Sequence, residues 1–186
     1  FNLRNEIINL SPVSLSYYDG LLGMALFAAA LYKLNQRKEV KETVLRWIAP
    51  LRESIRHKEY PVPVERMPLG MSHGIGGILY AGSMIAEYLD EPALMDDVLF
   101  LAEMVKPEHI RNEERVDWYN GISGLLFAAA KLGQKTKHSQ MYTLAKLCGE
   151  ELIRRQAWKL PHHHFYVRHV PLEETPAQTT GFSDQS

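Results

Sequence analysis

Four features of this 186-residue sequence are of types that do chemistry, and each also has a plainer reading. Asp117 stands four residues before Gly121 in "DWYNGISGLLFAAA", at the mouth of an apolar run. A carboxylate there can act as a general acid or base. It can equally accept a backbone N–H as a helix N-cap, worth on the order of 1 kcal/mol, and spacing alone favours the cap. His73, in "MSHGIGG", is of a residue type that serves as a base, but a lone His at such a turn reads first as a hydrogen-bonded structural group. The run "HHHFYVRH" offers His162, His163, His164 and His169. Adjacent side chains diverge and no cysteine or carboxylate pair accompanies them, so the run reads as an adventitious binder of nickel or zinc. Cys148, the single cysteine, falls on an apolar stripe and is expected to be an inert core thiol. No Ser-His-Asp grouping, phosphate loop or dinucleotide fingerprint is visible.

The elements that must position these groups show themselves as a repeat. Gly, two residues, Gly and then an apolar run begins at Gly20, Gly74 and Gly121, spacings of 54 and 47 residues. Each glycine costs about 1 kcal/mol relative to Ala inside a helix, so backbone geometry, close packing or ligand approach must account for it. The runs after the glycines are apolar nearly all round, as in Leu21, Leu22, Met24, Ala25, Leu26, Phe27, Ala28 and Leu31, which predicts inner helices covered on most sides. The second run of each unit is one-faced: Val40, Val44, Trp47/Ile48, Leu51, Ile55; Leu94, Val98, Leu101, Val105; Met141, Leu144/Ala145, Cys148, Leu152. These predict half-exposed outer helices around 38–57, 93–105 and 137–156. Alternating inner and outer helices make an all-α architecture, part of an α/α toroid. The repeat units run over about 15–60, 68–106 and 115–157, with a fourth starting at 179–186, in one partial domain spanning 1–186. Long Pro-bearing connections lead from outer to inner helices and suit binding or lid roles. The glycines let each inner helix begin tightly, with its free N–H groups and positive dipole end aimed at a shared central space.

Twenty-one Lys and Arg against 22 Asp and Glu leave a net charge of −1, without the basic footprint of a nucleic-acid or anionic-membrane binder. One cysteine permits no intrachain disulfide, which fits a reducing, cytoplasmic setting. No apolar run reaches transmembrane length, and the opening "FNLRNEIINLS" has neither a signal-peptide pattern nor a Met start, so the chain is expected to be a piece of something longer.

The stretches "YYDGLLGMALFAAALYK", "HGIGGILYAG", "DWYNGISGLLFAAAKLG" and "TGFSDQS" resemble the successive glycine-motif repeats of the LanC-like cyclase domain of class II (LanM-type) lanthionine synthetases, over about residues 15–186. The resemblance implies that the chain is the N-terminal part of that domain and that its parent adds cysteine thiols of a ribosomal precursor peptide to dehydroalanine or dehydrobutyrine, closing thioether rings of a lantibiotic type. It implies an active-site Asp in the third motif, where Asp117, Gly121, Ser123 and Gly124 match, and an active-site His in the fourth. There the family's Gly-Phe-Ser-His-Gly is replaced by Gly181, Phe182, Ser183, Asp184 and Gln185. It implies zinc in the complete domain, held by residues of later repeats and not by this chain. Alone, the chain is therefore expected to hold no stoichiometric zinc and to close no ring. Its open flanks are expected to favour self-association. The resemblance also moves Asp117 from cap to active-site candidate and leaves His73 the weaker one. Two alternatives stand beside it: a catalytically silent helical-repeat scaffold that binds a peptide or protein, and another toroid enzyme such as a glycosidase, which would need facing carboxylates for which Asp117 and Asp19 are unsupported candidates.

Overall fold

The computed structural model describes residues 13–58 and 64–157, and every regular element among them is helical. In chain order these are α1 (Leu21–Asn35), α2 (Lys38–His57), a single 3-10 turn (Val64–Arg66), α3 (Ile75–Leu89), α4 (Pro92–Glu103), α5 (Pro107–Asn112), α6 (Ile122–Thr136) and α7 (Ser139–Ala157). The pairs α1/α2, α3/α4 and α6/α7 are helical hairpins. Their first members form an inner layer in which α3 lies between α1 and α6, while α2 touches α4 and α5 touches α7 on the outside. Gly20, Gly74 and Gly121 are the N-cap residues of the three inner helices, each of 15 residues. No helix among the described residues is long and apolar enough to cross a membrane.

The outer helices bury one stripe each, as their patterning predicts. α2 buries Val44, Ile48, Leu51 and Ile55, α4 buries Leu94, Val98, Leu101 and Ala102, and α7 buries Met141, Leu144 and Cys148. The connection expected after α4 is partly helical. Pro107, within that Pro-bearing connection, opens α5, because at the first helical position proline has no N–H to lose and its fixed φ suits the helix.

The inner helices depart from uniform burial. α3, flanked on both sides, buries 11 of its 15 residues, whereas α1 buries only Leu22, Ala25 and Ala29. On α1, Phe27 is 74% and Leu34 85% exposed, with Met24 and Leu31 also open. The expectation of inner helices covered on most sides fails here because α1 packs chiefly on α2 and α3, leaving its third side open among the described residues.

Ion pairs tie the outer layer together. Asp97 on α4, nearly buried, accepts from Arg52 Nε at 2.6 Å and from Arg56 Nε at 2.8 Å, both on α2. Glu151 on α7 accepts from Arg154 and Arg155, and Arg155 reaches the carbonyls of Ile110 and Arg111 at the end of α5. Hydrogen bonds from Arg154, then Arg155, hold the Glu151 carboxyl down at about 2 against the pull of burial.

Candidate functional site

The turn ahead of each inner helix is built to one plan. The first helical N–H donates to a carbonyl seven residues back: Leu21 to Ser14 at 2.7 Å, Ile75 to Pro68 at 2.9 Å, Ile122 to Arg115 at 3.0 Å. The next amide follows in the second and third units, Gly76 to Leu69 and Ser123 to Val116. The loop therefore folds under its own helix and uses the donors that a helix start otherwise leaves open. This corrects the expectation that free N–H groups face a central space. A Cβ on any of the three N-cap glycines would collide with the carbonyl oxygen six residues earlier, so the glycines serve packing.

The turns are also stitched to one another. Tyr17 and Tyr18 donate their amides to Ser72 O, and Gly70, Met71 and Ser72 donate theirs to Asn120, Trp118 and Tyr119 carbonyls. Gly70 permits this, since a side chain there would enter the backbone of Tyr119 and Asn120. Gly70 occupies the place in the second unit that Asp117 holds in the third and Ser16 in the first, so the second unit has no room for a carboxylate.

The residues just before the N-cap glycines, Asp19, His73 and Asn120, meet through Ser72. His73 Nε2 lies 3.0 Å from Asp19 Oδ1, and its Nδ1 lies 2.9 Å from Ser72 Oγ. Ser72 Oγ is also within reach of Tyr119 O at 2.9 Å and Asn120 Oδ1 at 3.1 Å. Ser16 Oγ donates to Asp19 at 2.5 Å, and this bond, then the one from His73, lowers the Asp19 pKa. A Ser-His-Asp set absent from the sequence spacing is thus assembled by the fold, with residues from two units. It is not a nucleophile site. Ser72 is 1% exposed and its oxygen is enclosed by protein polar groups, which leaves no approach for an electrophile.

Asp117 is half-buried in the third turn. Its Oδ1 accepts the Asn120 N–H at 2.8 Å, and its backbone carbonyl accepts the Gly121 N–H at 3.1 Å. The N-cap reading is therefore replaced by a turn clasp, because the helix starts at Ile122 with Gly121 as its cap. Oδ2 has no protein partner among the described residues. Ser123 fixes Val116, the residue before Asp117, by donating Oγ–H to its carbonyl at 2.5 Å, and Arg115, paired with Glu113, adds a positive charge nearby. The family pattern carried Ser123 without a reason, and this clamp supplies one.

Beside these turns opens a concavity of about 1130 Å³ lined by aromatic and aliphatic side chains, among them Tyr18, Phe27, Trp47, Trp118 and Tyr119, with Asp19 the only charged residue on its wall among the described residues. Tyr18 packs edge-on against Tyr119, and Tyr119 against the His73 ring. These aromatics were not singled out by motif spacing. Only their position beside the glycines marks them.

Cys148 is fully buried on α7, where burial pushes its thiol up to about 12. Among the described residues there is no group of three His, Cys, Asp or Glu side chains that could hold a metal ion. His162, His163, His164, His169 and Asp184 lie outside the described residues.

The sequence matches the lanthionine synthetase C-like protein family over residues 11–182, and the chain belongs to that family. No curated protein matches it.

Proposed function

We propose that this chain is the N-terminal part of the cyclase domain of a LanM-type lanthionine synthetase, whose parent adds cysteine thiols of a dehydrated ribosomal peptide to dehydroalanine or dehydrobutyrine. The observation that carries the reading is the family match over nearly the whole chain, together with the third-motif carboxylate. Asp117 is held by its own turn through one oxygen while the other has no partner among the described residues, which suits a group that gives or takes a proton. The aromatic concavity, whose wall includes Trp118 and Tyr119 of the same turn, is a fitting seat for that peptide. Zinc, which the family uses to lower the thiol pKa, finds no ligand set among the described residues. Its ligands, on this reading, belong to later repeats of the parent. The open apolar flank of α1 suits a further hairpin of the parent or, in the chain alone, a second copy. A cytoplasmic site of action goes with the reading.

The test is ring closure by the full-length protein on a dehydrated precursor. The addition is mass-neutral, so products are treated with a thiol alkylating reagent. Progressive loss of alkylatable cysteine is the expected outcome. A peptide that binds with its thiols remaining free would instead make the protein a peptide-binding scaffold.

A further inference from the structure

His73, Ser72 and Asn120 compete for fewer hydrogens than their contacts require. The Asp19 carboxylate only accepts, so His73 Nε2 must carry a hydrogen to satisfy the 3.0 Å contact. Nδ1 then has two states. Unprotonated, it takes the single Ser72 hydroxyl hydrogen, and Asn120 Oδ1 and Tyr119 O lose that donor. Protonated, it donates to Ser72 Oγ, whose hydrogen turns to Tyr119 O or Asn120 Oδ1. Tyr119 O keeps the Ser72 amide as a donor at 2.9 Å, so the exchange falls on Asn120 Oδ1. Asn120 is in turn the residue whose N–H clasps Asp117 at 2.8 Å.

We propose that His73 is a positioning residue for Asp117: its second proton sets the Ser72 hydroxyl, the hydroxyl sets the Asn120 side chain, and Asn120 sets the turn that aims the Asp117 carboxylate. The inference rests on the cyclase reading only for what Asp117 then does. The titratable groups facing His73 are Asp19, from the turn before α1, and Tyr119, with Tyr18 against it, from the turn before α6. The string crosses all three units, so it also reports whether their turns are docked.

The experiment follows histidine ring and asparagine amide signals in the full chain labelled with 15N-histidine and 15N-asparagine, between about pH 5 and 8, the range in which imidazoles titrate. Signals are assigned with His73→Gln and Asn120→Asp. The expected result is that the Asn120 backbone amide shifts with the same midpoint as the His73 ring. In Ser72→Ala the ring still titrates and the Asn120 shift is lost. An Asn120 amide that stays flat while His73 titrates, or a His73 that does not titrate in that range, overturns the proposal. A second readout is ring closure by the full-length protein, where Ser72→Ala is expected to lower kcat about tenfold with KM nearly unchanged, because misaiming a reacting group costs rate more than binding. Absent cyclase activity alongside coupled His73 and Asn120 signals would strike the proposed reaction and uphold the string.

Discussion

Gly124 in the first turn of α6 and Gly149 in the middle of α7 are both helical glycines, yet they sit in opposite surroundings. A methyl group on Gly124 would run into the carbonyl of Trp118, with Met71 N at 2.7 Å and the Cα of Gly70 at 2.8 Å, which are backbone atoms of two units. A methyl group on Gly149 would meet nothing within 4 Å. The layer of turns beneath the inner helices is made of backbone packed on backbone, where no side chain can yield. The outer layer is held by side chains, in apolar stripes and in the Asp97 and Glu151 ion pairs, which tolerate adjustment. Among the described residues the candidate chemistry lies in the first of these regions, where Asp19, Ser72, His73 and Asn120, from turns of three units, are hydrogen-bonded in one string.

Gly124→Ala is the sharpest way to break this contrast and carries the largest expected effect. Since the obstructing atoms are backbone, it should cost about 3 kcal/mol or more, or prevent folding, as measured by urea denaturation. Wild-type stability in this variant would mean that the turns are not docked as described.

Glu151 tests the outer layer. Its carboxyl is depressed from 4.5 to about 2 in the folded chain, so its stabilising contribution is complete above about pH 4.5 and is lost as the pH falls toward 2. Glu151→Gln should cost about 2 kcal/mol at neutral pH by leaving Arg155 short of a partner. Its stability should also fall less steeply with acid over that window. A parallel acid profile in the two proteins would show that Glu151 is not paired in solution.

Gly149→Ala carries the smallest effect and the opposite sign. Replacing an unobstructed mid-helix glycine should stabilise the chain by about 0.5–1 kcal/mol, seen as a rise in Tm. A loss would place an unseen neighbour against that face of α7.

The starts of the inner helices were legible because the glycine pair is a local requirement repeated three times, and the outer stripes were legible because period and one-sided burial go together. α5 was hidden by Pro107, which has the same local appearance whether it ends or opens a helix. The exposure of α1 was hidden because an apolar run records what a helix can bury, while its neighbours decide what it does bury. At the site, Asp19, His73 and Asn120 could be read as equivalent positions. Their linkage could not, since it depends on Ser72 and on how the turns of separate units superpose. Asp117 looked like an N-cap because the sequence does not show that the loop's own carbonyls already satisfy the start of α6.

The central claim is that Asp117 works on the peptide and does not merely hold its turn, and Asp117→Asn in the full-length protein tests it most directly. An amide keeps an oxygen for the Asn120 N–H and so preserves the clasp, but it can no longer exchange a proton. With precursor dehydration intact and the fold verified by circular dichroism, thiol alkylation of timed samples should show ring closure slowed about a hundredfold. Unchanged alkylation kinetics would contradict the account and leave Asp117 as the clasp of a turn.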